Sequence, residues 1–382
     1  MSAILVWIWL IIGVVLFLMA FIKDTPSTKK TYKLLAFLFV ITLPFTATSW
    51  LSALNSALLY SILAMGLNLL LGNAGQISLG HAAFYALGAY ATAILSVKAG
   101  VPILISIILG GISVSILAFI IGTPILRLKG HFLGIATLGL HIVVENIIKN
   151  ELKHMFPGAT VPIKYTVTSM VDSINYALRE KLAYWDYVSL TSGTKPFIFN
   201  YLQDIASNIP AIAGFFITLL VLYLIVLMVR NLLKTKVGRA LGGIRDSEVA
   251  ARTLGVNIAL YKNIAFGLSA FIAGIAGGIF AITIGTVDEA SFMLTVSLYV
   301  LAMIVIGGVG TIQGSIIGAT LYQLLDMKII KTILPQKYQA LALAIMGIAV
   351  ILMIIFAPKG IVYMLYQFKL KIMQKKSGFV KK

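Results

Sequence analysis

The stretch LLAFLFVITLPFTATSWLSALNSALLYSILAMGLNLLLGNAGQISLGHAAFYALGAYATAILSV, residues 34–97, holds no Asp, Glu, Lys or Arg in 64 positions. A hydrocarbon core of about 30 Å is crossed by about 20 apolar residues in a helix, so this stretch contains roughly three crossings. Its internal breaks fall at Pro44–Trp50 and at Gly72-Asn73-Ala74-Gly75, where proline and glycine permit backbone that a helix does not. Working outward, further runs without these charges cover 3–22, 99–126, 132–144, 205–229, 263–287, 290–325 and 338–358. The run 290–325 is too long for one crossing and is cut by Gly307-Gly308-Val309-Gly310, which predicts two short helices. The result is an all-α, polytopic membrane protein with ten or eleven transmembrane helices. Composition agrees. The 382 residues are 60% hydrophobic and 11% charged, far below the quarter or so expected of a soluble domain. A cytosolic enzyme and a disordered regulator are excluded, and the lack of cysteine removes a disulfide scaffold and thiol chemistry.

Sidedness follows from the 30 Lys and Arg, which outnumber 12 Asp and Glu to give a net charge of +18. Segment 23–33 carries four, 127–129 two, 230–262 seven and the tail from Lys359 seven, which marks these as cytoplasmic. The connection 151–204 balances five basic against five acidic residues, and Asp288-Glu289 has no base beside it, so both belong outside. An odd number of helices follows, with the N-terminus outside and the C-terminus in the cytoplasm. The first apolar run is followed, not preceded, by Lys23, Lys29 and Lys30, so it reads as a retained span rather than a cleaved signal peptide. Basic residues spread over loops and a tail are topology determinants; they lack the interleaved aromatics of a nucleic-acid groove, and no nucleic-acid partner is expected.

Catalytic chemistry finds little material. His81, His131, His141 and His154 form no metal-ligand spacing, so no metal and no cofactor is expected. Glu145 is the one acidic residue well inside an apolar run, and with Lys149 at i,i+4 it also reads as a boundary ion pair. No G-x-x-x-x-G-K-[ST] occurs, so any ATP is bound by another polypeptide. The segment RNLLKTKVGRALGGIRDSEVAARTLGVNIALYK, 230–262, predicts a short helix over 246–254, capped by Asp246 or Ser247, with Glu248 in its first turn and Gly255 as its stop. Val249, Ala250, Ala251 and Leu254 would form a low face, suited either to a cleft on a partner or to the membrane interface. Gly75-Gln76-Ile77-Ser78-Leu79-Gly80-His81 places polar side chains in an apolar setting; they either line a cavity at a broken helix or bond to neighbouring helices. Gly274 with Gly278, and Gly310, Gly314 and Gly318, recur every four residues, a spacing that means close helix packing. Trp50, Tyr60, Tyr184 and Trp185 fall near predicted span ends, as an interfacial belt requires, and the basic tail suits anionic lipid headgroups.

Glu248-x-Ala250-Ala251-x3-Gly255 resembles the EAA-type loop by which ABC importer permeases seat in their nucleotide-binding subunits. The stretch VGRALGGIRDSEVAARTLGVNIALYKNIAFGLSAFIAGIAGGIFA, 237–281, resembles its counterpart in the branched-chain amino acid permease family of the LivM type. So do GLNLLLGNAGQISLGHAAFYALGAYATAIL at 66–95, LRLKGHFLGIATLGL at 126–140 and SLYVLAMIVIGGVGTIQGSIIGA at 297–319, in the family's order. The resemblance implies a permease subunit of an ATP-driven importer of hydrophobic, branched-chain amino acids in the bacterial plasma membrane, not itself an enzyme. It implies as partners membrane lipid, a second similar permease subunit, two ATP-binding subunits, an external substrate-binding protein and the amino-acid substrate. Arg245, Asp246, Glu248, Ala250, Ala251 and Gly255 then become ATPase-coupling residues, and Asn68, Gln76, Ser78, His81 and Thr137 candidates for the translocation path. The chain divides into an N-terminal helix and basic loop at 1–33, a first bundle at 34–150, an external connection at 151–208, a second bundle at 209–358 with its coupling loop at 231–262, and a basic tail at 359–382. This chain departs from the family in three places. His141 and Ile142 stand where an acidic residue is common, the external connection is long, and no I-x-L-P follows Gly255. Two other readings stay open: a permease for urea or another small neutral solute, and an ion-coupled secondary transporter built on Glu145.

Overall fold

A backbone in hydrocarbon has no water to bond, so charge-free runs close their hydrogen bonds within helices. The structure, a computed structural model, describes residues 40–45, 50–128, 130–155, 197–326 and 360–379, with scattered single positions between them. The expected spans 3–22 and most of 338–358, the basic segment 23–33, most of the connection 151–204, and Tyr184 and Trp185 lie outside the described residues. The described helices are α1 (Leu51–Asn68), α2 (His81–Val97), α3 (Ile103–Ile125), α4 (His131–Met155), α5 (Phe197–Lys234), α6 (Lys236–Asp246), α7 (Glu248–Thr253), α8 (Ile258–Ile284), α9 (Leu294–Gly307), α10 (Ile312–Leu324) and α11 (Gly360–Phe379). Among the described residues six helical segments are long and apolar enough to cross a membrane. The chain is thus an all-α, multi-pass membrane protein.

It divides into two units, Ala53–Met170 with Phe216–Val362, and Met1–Ser52 with Val171–Phe215 and Tyr363–Lys382. The larger unit is built around α8, which packs along its length against α2 and α3. Helix α3 shows why. Its outward side carries Leu104, Ile105, Ile108, Ile112, Ile116 and Ile120, all exposed, while Ser106, Gly110, Gly111, Ala118 and Gly122 are buried. Lipid is as apolar as leucine, so large side chains gain little by turning inward, and close van der Waals approach selects small residues for the interior. The approach is backbone to backbone: a Cβ on Gly88 of α2 would lie 2.3 Å from Gly274 Cα, and one on Gly277 of α8 would lie 2.1 Å from Tyr85 O. Where space remains, rings fill it. Tyr85, Phe280 and Phe292 meet edge to face with centroids 5.0–5.6 Å apart.

Of the three breaks expected in the charge-free runs, those at Gly72–Gly75 and Gly307–Gly310 are present, while most of the one at Pro44–Trp50 lies outside the described residues. After Asn68 the helix widens over Leu69–Asn73 into a turn with i→i+5 bonds, and the chain then runs non-helically until α2 starts at His81. Helices α9 and α10 form a hairpin about the glycine cluster 307–310. Helix α2, with 17 residues, is about 26 Å long at 1.5 Å per residue, shorter than a full crossing. The connection after α4 meets the one after α8: β1 (Val161–Pro162) pairs antiparallel with β2 (Thr286–Val287), immediately before Asp288-Glu289. Helix α5 differs from expectation by starting at Phe197, eight residues before the apolar run at 205. Asp204 ends the hydrophobic stretch, but charge does not end helicity.

The small-residue positions lie at contacts. A Cβ on Gly274 would come 3.0 Å from Gly111 Cα, and on Gly278 2.7 Å from Thr92 Oγ1. On Gly314 it would come 2.4 Å from Gly308 O, and on Gly318 1.8 Å from Met303 O. Backbone cannot give way as a flexible side chain can, so Gly314→Leu should destabilise the α9–α10 hairpin by about 3 kcal/mol or more and lower both yield and melting temperature. Normal yield and an unchanged thermal melt of that variant would show that the hairpin is packed otherwise.

Candidate functional site

Two places carry side chains that ordinary packing does not explain, a foot at residues 247–255 and a buried polar cluster at the α1 break. The foot begins where α6 ends. Ser247 has extended backbone (φ −161°, ψ 112°) and its Oγ accepts a hydrogen bond from Ala250 N at 3.2 Å, so Ser247 caps α7. Asp246 is still within α6, and the helix expected over 246–254 is α7, Glu248–Thr253. An N-cap must leave helical φ and ψ, and only Ser247 does so. Gly255 (φ +78°) ends it with Gly255 N donating to Arg252 O at 3.0 Å, and Asn257 Oδ1 accepts from Leu260 N to start α8.

The exposed face also differs from the expected set. Val249 and Leu254 are 75% and 83% exposed and Ala250 is exposed too, but Ala251 is buried at 3%. Residues 250 and 251 stand about 100° apart on a helix, so the two methyl groups face different ways and Ala251 is the one turned in. Glu248 does not project with this face: its Oε1 accepts from Lys262 Nζ, a cation 7% exposed in the first turns of α8. Removing one partner would leave a largely buried ammonium unpaired, a cost of about 1–3 kcal/mol. Arg245, at the end of α6, reaches the other way, with Nη1 donating to Gly72 O at 2.5 Å.

The second place is the non-helical stretch after α1. Gln76, Ser78, His81 and Thr137 are all at most 2% exposed. Thr137 on α4 holds the stretch: its Oγ1 accepts from Leu79 N at 3.0 Å and donates to Gly134 O at 2.9 Å, and a Cβ on Gly80 would strike Thr137 O at 2.1 Å. Ser297 Oγ accepts from Ala82 N at 2.9 Å, satisfying an amide at the start of α2. The amides of Gln76, Leu79 and Ala82 thus have partners, while the side chains of Gln76 and Ser78 do not. Both amide atoms of Gln76 and the Ser78 hydroxyl are buried with no hydrogen-bond partner among the described residues. An unsatisfied buried amide costs about 1–3 kcal/mol, so such groups usually have a use.

Asn68 lies apart from these, at the other end of the break. Its Nδ2 donates to Thr311 O and Ser315 Oγ, both at 2.8 Å, and its Oδ1 accepts from Gly310 N at 2.7 Å. All its capacity is spent joining the α1 break to the α9–α10 turn. Glu145 sits on α4 with Lys149 Nζ at 2.7 Å and His141 Nε2 at 3.5 Å. Three contributors escaped the sequence reading: Lys262, whose partner is fourteen residues away, Ser297, and Gly310 as a neighbour of Arg245. None has a local signal, because each matters only through a tertiary contact.

A family model described as "Branched-chain amino acid transport system / permease component" matches residues 49–356. The high-affinity branched-chain amino acid transport system permease protein LivM of Salmonella typhimurium is 31% identical over 320 residues, covering 84% of this chain and 71% of that protein. LivM of Escherichia coli is 29% identical over 343 residues, covering 87% and 77%. The autoinducer 2 import system permease protein LsrC of Yersinia enterocolitica is 34% identical over 121 residues, covering 30% and 34%. No solved structure matches the chain.

Because Gln76 has no partner to lose, Gln76→Leu should leave the melting temperature unchanged or raised while solute uptake falls at least about tenfold. A drop in both would assign Gln76 to packing.

Proposed function

This chain belongs to the family of branched-chain amino acid transport permease components, and from that premise we propose that it is the membrane-spanning subunit of an ATP-driven importer of branched-chain amino acids. ATP is hydrolysed by two separate subunits seated on the cytoplasmic side. A second, similar permease subunit completes the path, and an external binding protein delivers the solute. The chain lies in the bacterial plasma membrane with its N-terminus outside and its C-terminus in the cytoplasm, a reading that the distribution of Lys and Arg supports.

The observation that carries this reading is the foot. A six-residue helix fixed at one end by the Ser247 cap and at its side by the Glu248–Lys262 pair presents Val249, Ala250 and Leu254 to solvent. An exposed apolar face this well anchored at a loop suits a cleft on a partner. Val249, Ala250, Leu254 and Gly255 form the docking surface, while Glu248 and Ala251 hold it in shape. When the ATPases close on ATP they move α7 as a lever, and the transmembrane helices alternate between outward and inward openings.

The path has no demand for a bare countercharge. Gln76 and Ser78 offer neutral donors and acceptors to the polar end of an amino acid, while its aliphatic side chain needs only apolar walls. Glu145, the carboxylate an ion-coupled carrier would use, is already engaged by Lys149 and neighboured by His141.

In liposomes holding the complete complex, leucine accumulation should require ATP and the binding protein, resist an uncoupler and be competed by isoleucine and valine but not by urea. Accumulation by the purified chain alone would refute the assignment. Val249→Asp with Leu254→Asp, both at exposed sites, should leave the fold intact and cut co-purified ATPase at least about tenfold; undiminished ATPase would place the docking surface elsewhere.

A further inference from the structure

A lever is useful only if something joins it to the path. Arg245 was grouped with the docking residues by resemblance, yet its guanidinium turns away from the face of α7. Nη1 donates to Gly72 O in the wide turn that ends α1, and a Cβ on Gly310, in the turn between α9 and α10, would lie 3.0 Å from the same nitrogen. One cation therefore touches both helix breaks. Those breaks already abut at Gly72, where a Cβ would lie 2.4 Å from both Asn68 Oδ1 and Gly310 N. Gly310 (φ +83°) adopts a backbone that L side chains rarely take, and the bare Cα it leaves is what admits the guanidinium. The non-helical stretch lies just beyond: a Cβ on Gly75 would be 3.5 Å from Arg245 Cα, and Gln76 is the next residue.

The link to the foot is short. Ser247 is the one residue between α6, which carries Arg245, and α7. The foot itself is tied down by Val256 N donating to Ala251 O at 3.0 Å and by the Glu248–Lys262 pair. Arginine suits such a joint. Its guanidinium is always charged, planar and rigid, and a charged donor on a carbonyl makes one of the stronger hydrogen bonds. We infer that Arg245 is a positioning residue, a rigid strut through which displacement of α7 moves the stretch 74–80, with Gln76 and Ser78, together with the turn 308–311. The inference rests on α7 being the ATPase foot.

The test uses the full complex in liposomes, with leucine as the transported probe. The wild type comes first: if it does not couple leucine uptake to ATP hydrolysis, the functional reading falls and the strut with it. Given a coupled wild type, Arg245→Gln should retain its ATPase subunits, its melting temperature to within about 3 °C and at least about half its ATP hydrolysis, while leucine moved per ATP drops at least about tenfold. Arg245→Lys, which keeps the charge but not the planar fork, should recover part of that ratio. An unchanged ratio in Arg245→Gln, or loss of the ATPase from a folded chain, overturns the strut while leaving the importer assignment standing. Should Arg245→Gln fail to fold, hydrogen exchange on the wild-type complex decides. ATP binding should alter the protection of 72–80 and 308–311 together with that of 246–254, and a change confined to the foot overturns the inference.

Discussion

A chain that leaves the helix at membrane depth must find new partners for the amides it frees, and among the described residues this protein does so at 69–80 and at 307–311. The two departures are not solved separately. Asn68 bonds Gly310 N, Thr311 O and Ser315 Oγ with one side chain, so a residue at the first break supplies what the second lacks. Thr137 and Ser297 complete the work for Leu79 and Ala82. Tied at Gln76 N and Leu79 N, the stretch 74–80 holds Gln76 and Ser78 in place without using their side chains for support. Hydroxyls of Thr137, Ser297 and Ser315 and the Asn68 amide together hold the two irregular segments and the helix start beside them.

Much of this architecture is legible in the residues. The charge-free runs mark helices because charge is expensive in hydrocarbon, and the clusters Gly72–Gly75 and Gly307–Gly310 mark the breaks because few other residues tolerate them. The i,i+4 pair of Glu145 and Lys149 is local, so spacing alone points to it. What spacing does not convey is which face turns in. Ala250 and Ala251 are the same residue type, and only the packing of α7 against its neighbours decides that Ala251 is the buried one. Partners far apart in the chain are equally silent: Arg245 and Gly72 are separated by 173 positions, and Asn68 and Ser315 by 247.

Helix α6 shows a further reason for mismatch. Its segment is rich in Lys, Arg and Gly, which reads as a loop, yet Leu241 and Ile244 are buried and the rest is free to be polar. Asp246 was a plausible cap on composition, but α6 runs through it, so the capping role passed to the next residue with an oxygen. Local preference yields here to the continuity of a helix that two buried side chains anchor.

The touching backbones of α2, α3 and α8 have a mechanical consequence. Helices that slide past one another do so by side chains hopping between alternative rotamers, and at Gly88, Gly274 and Gly277 there are no rotamers to hop. The trio is therefore the stator of the molecule. On the proposed transport reading, any movement falls to the elements around it, above all to the hairpin that carries Gly310, much as a door swings because its frame does not.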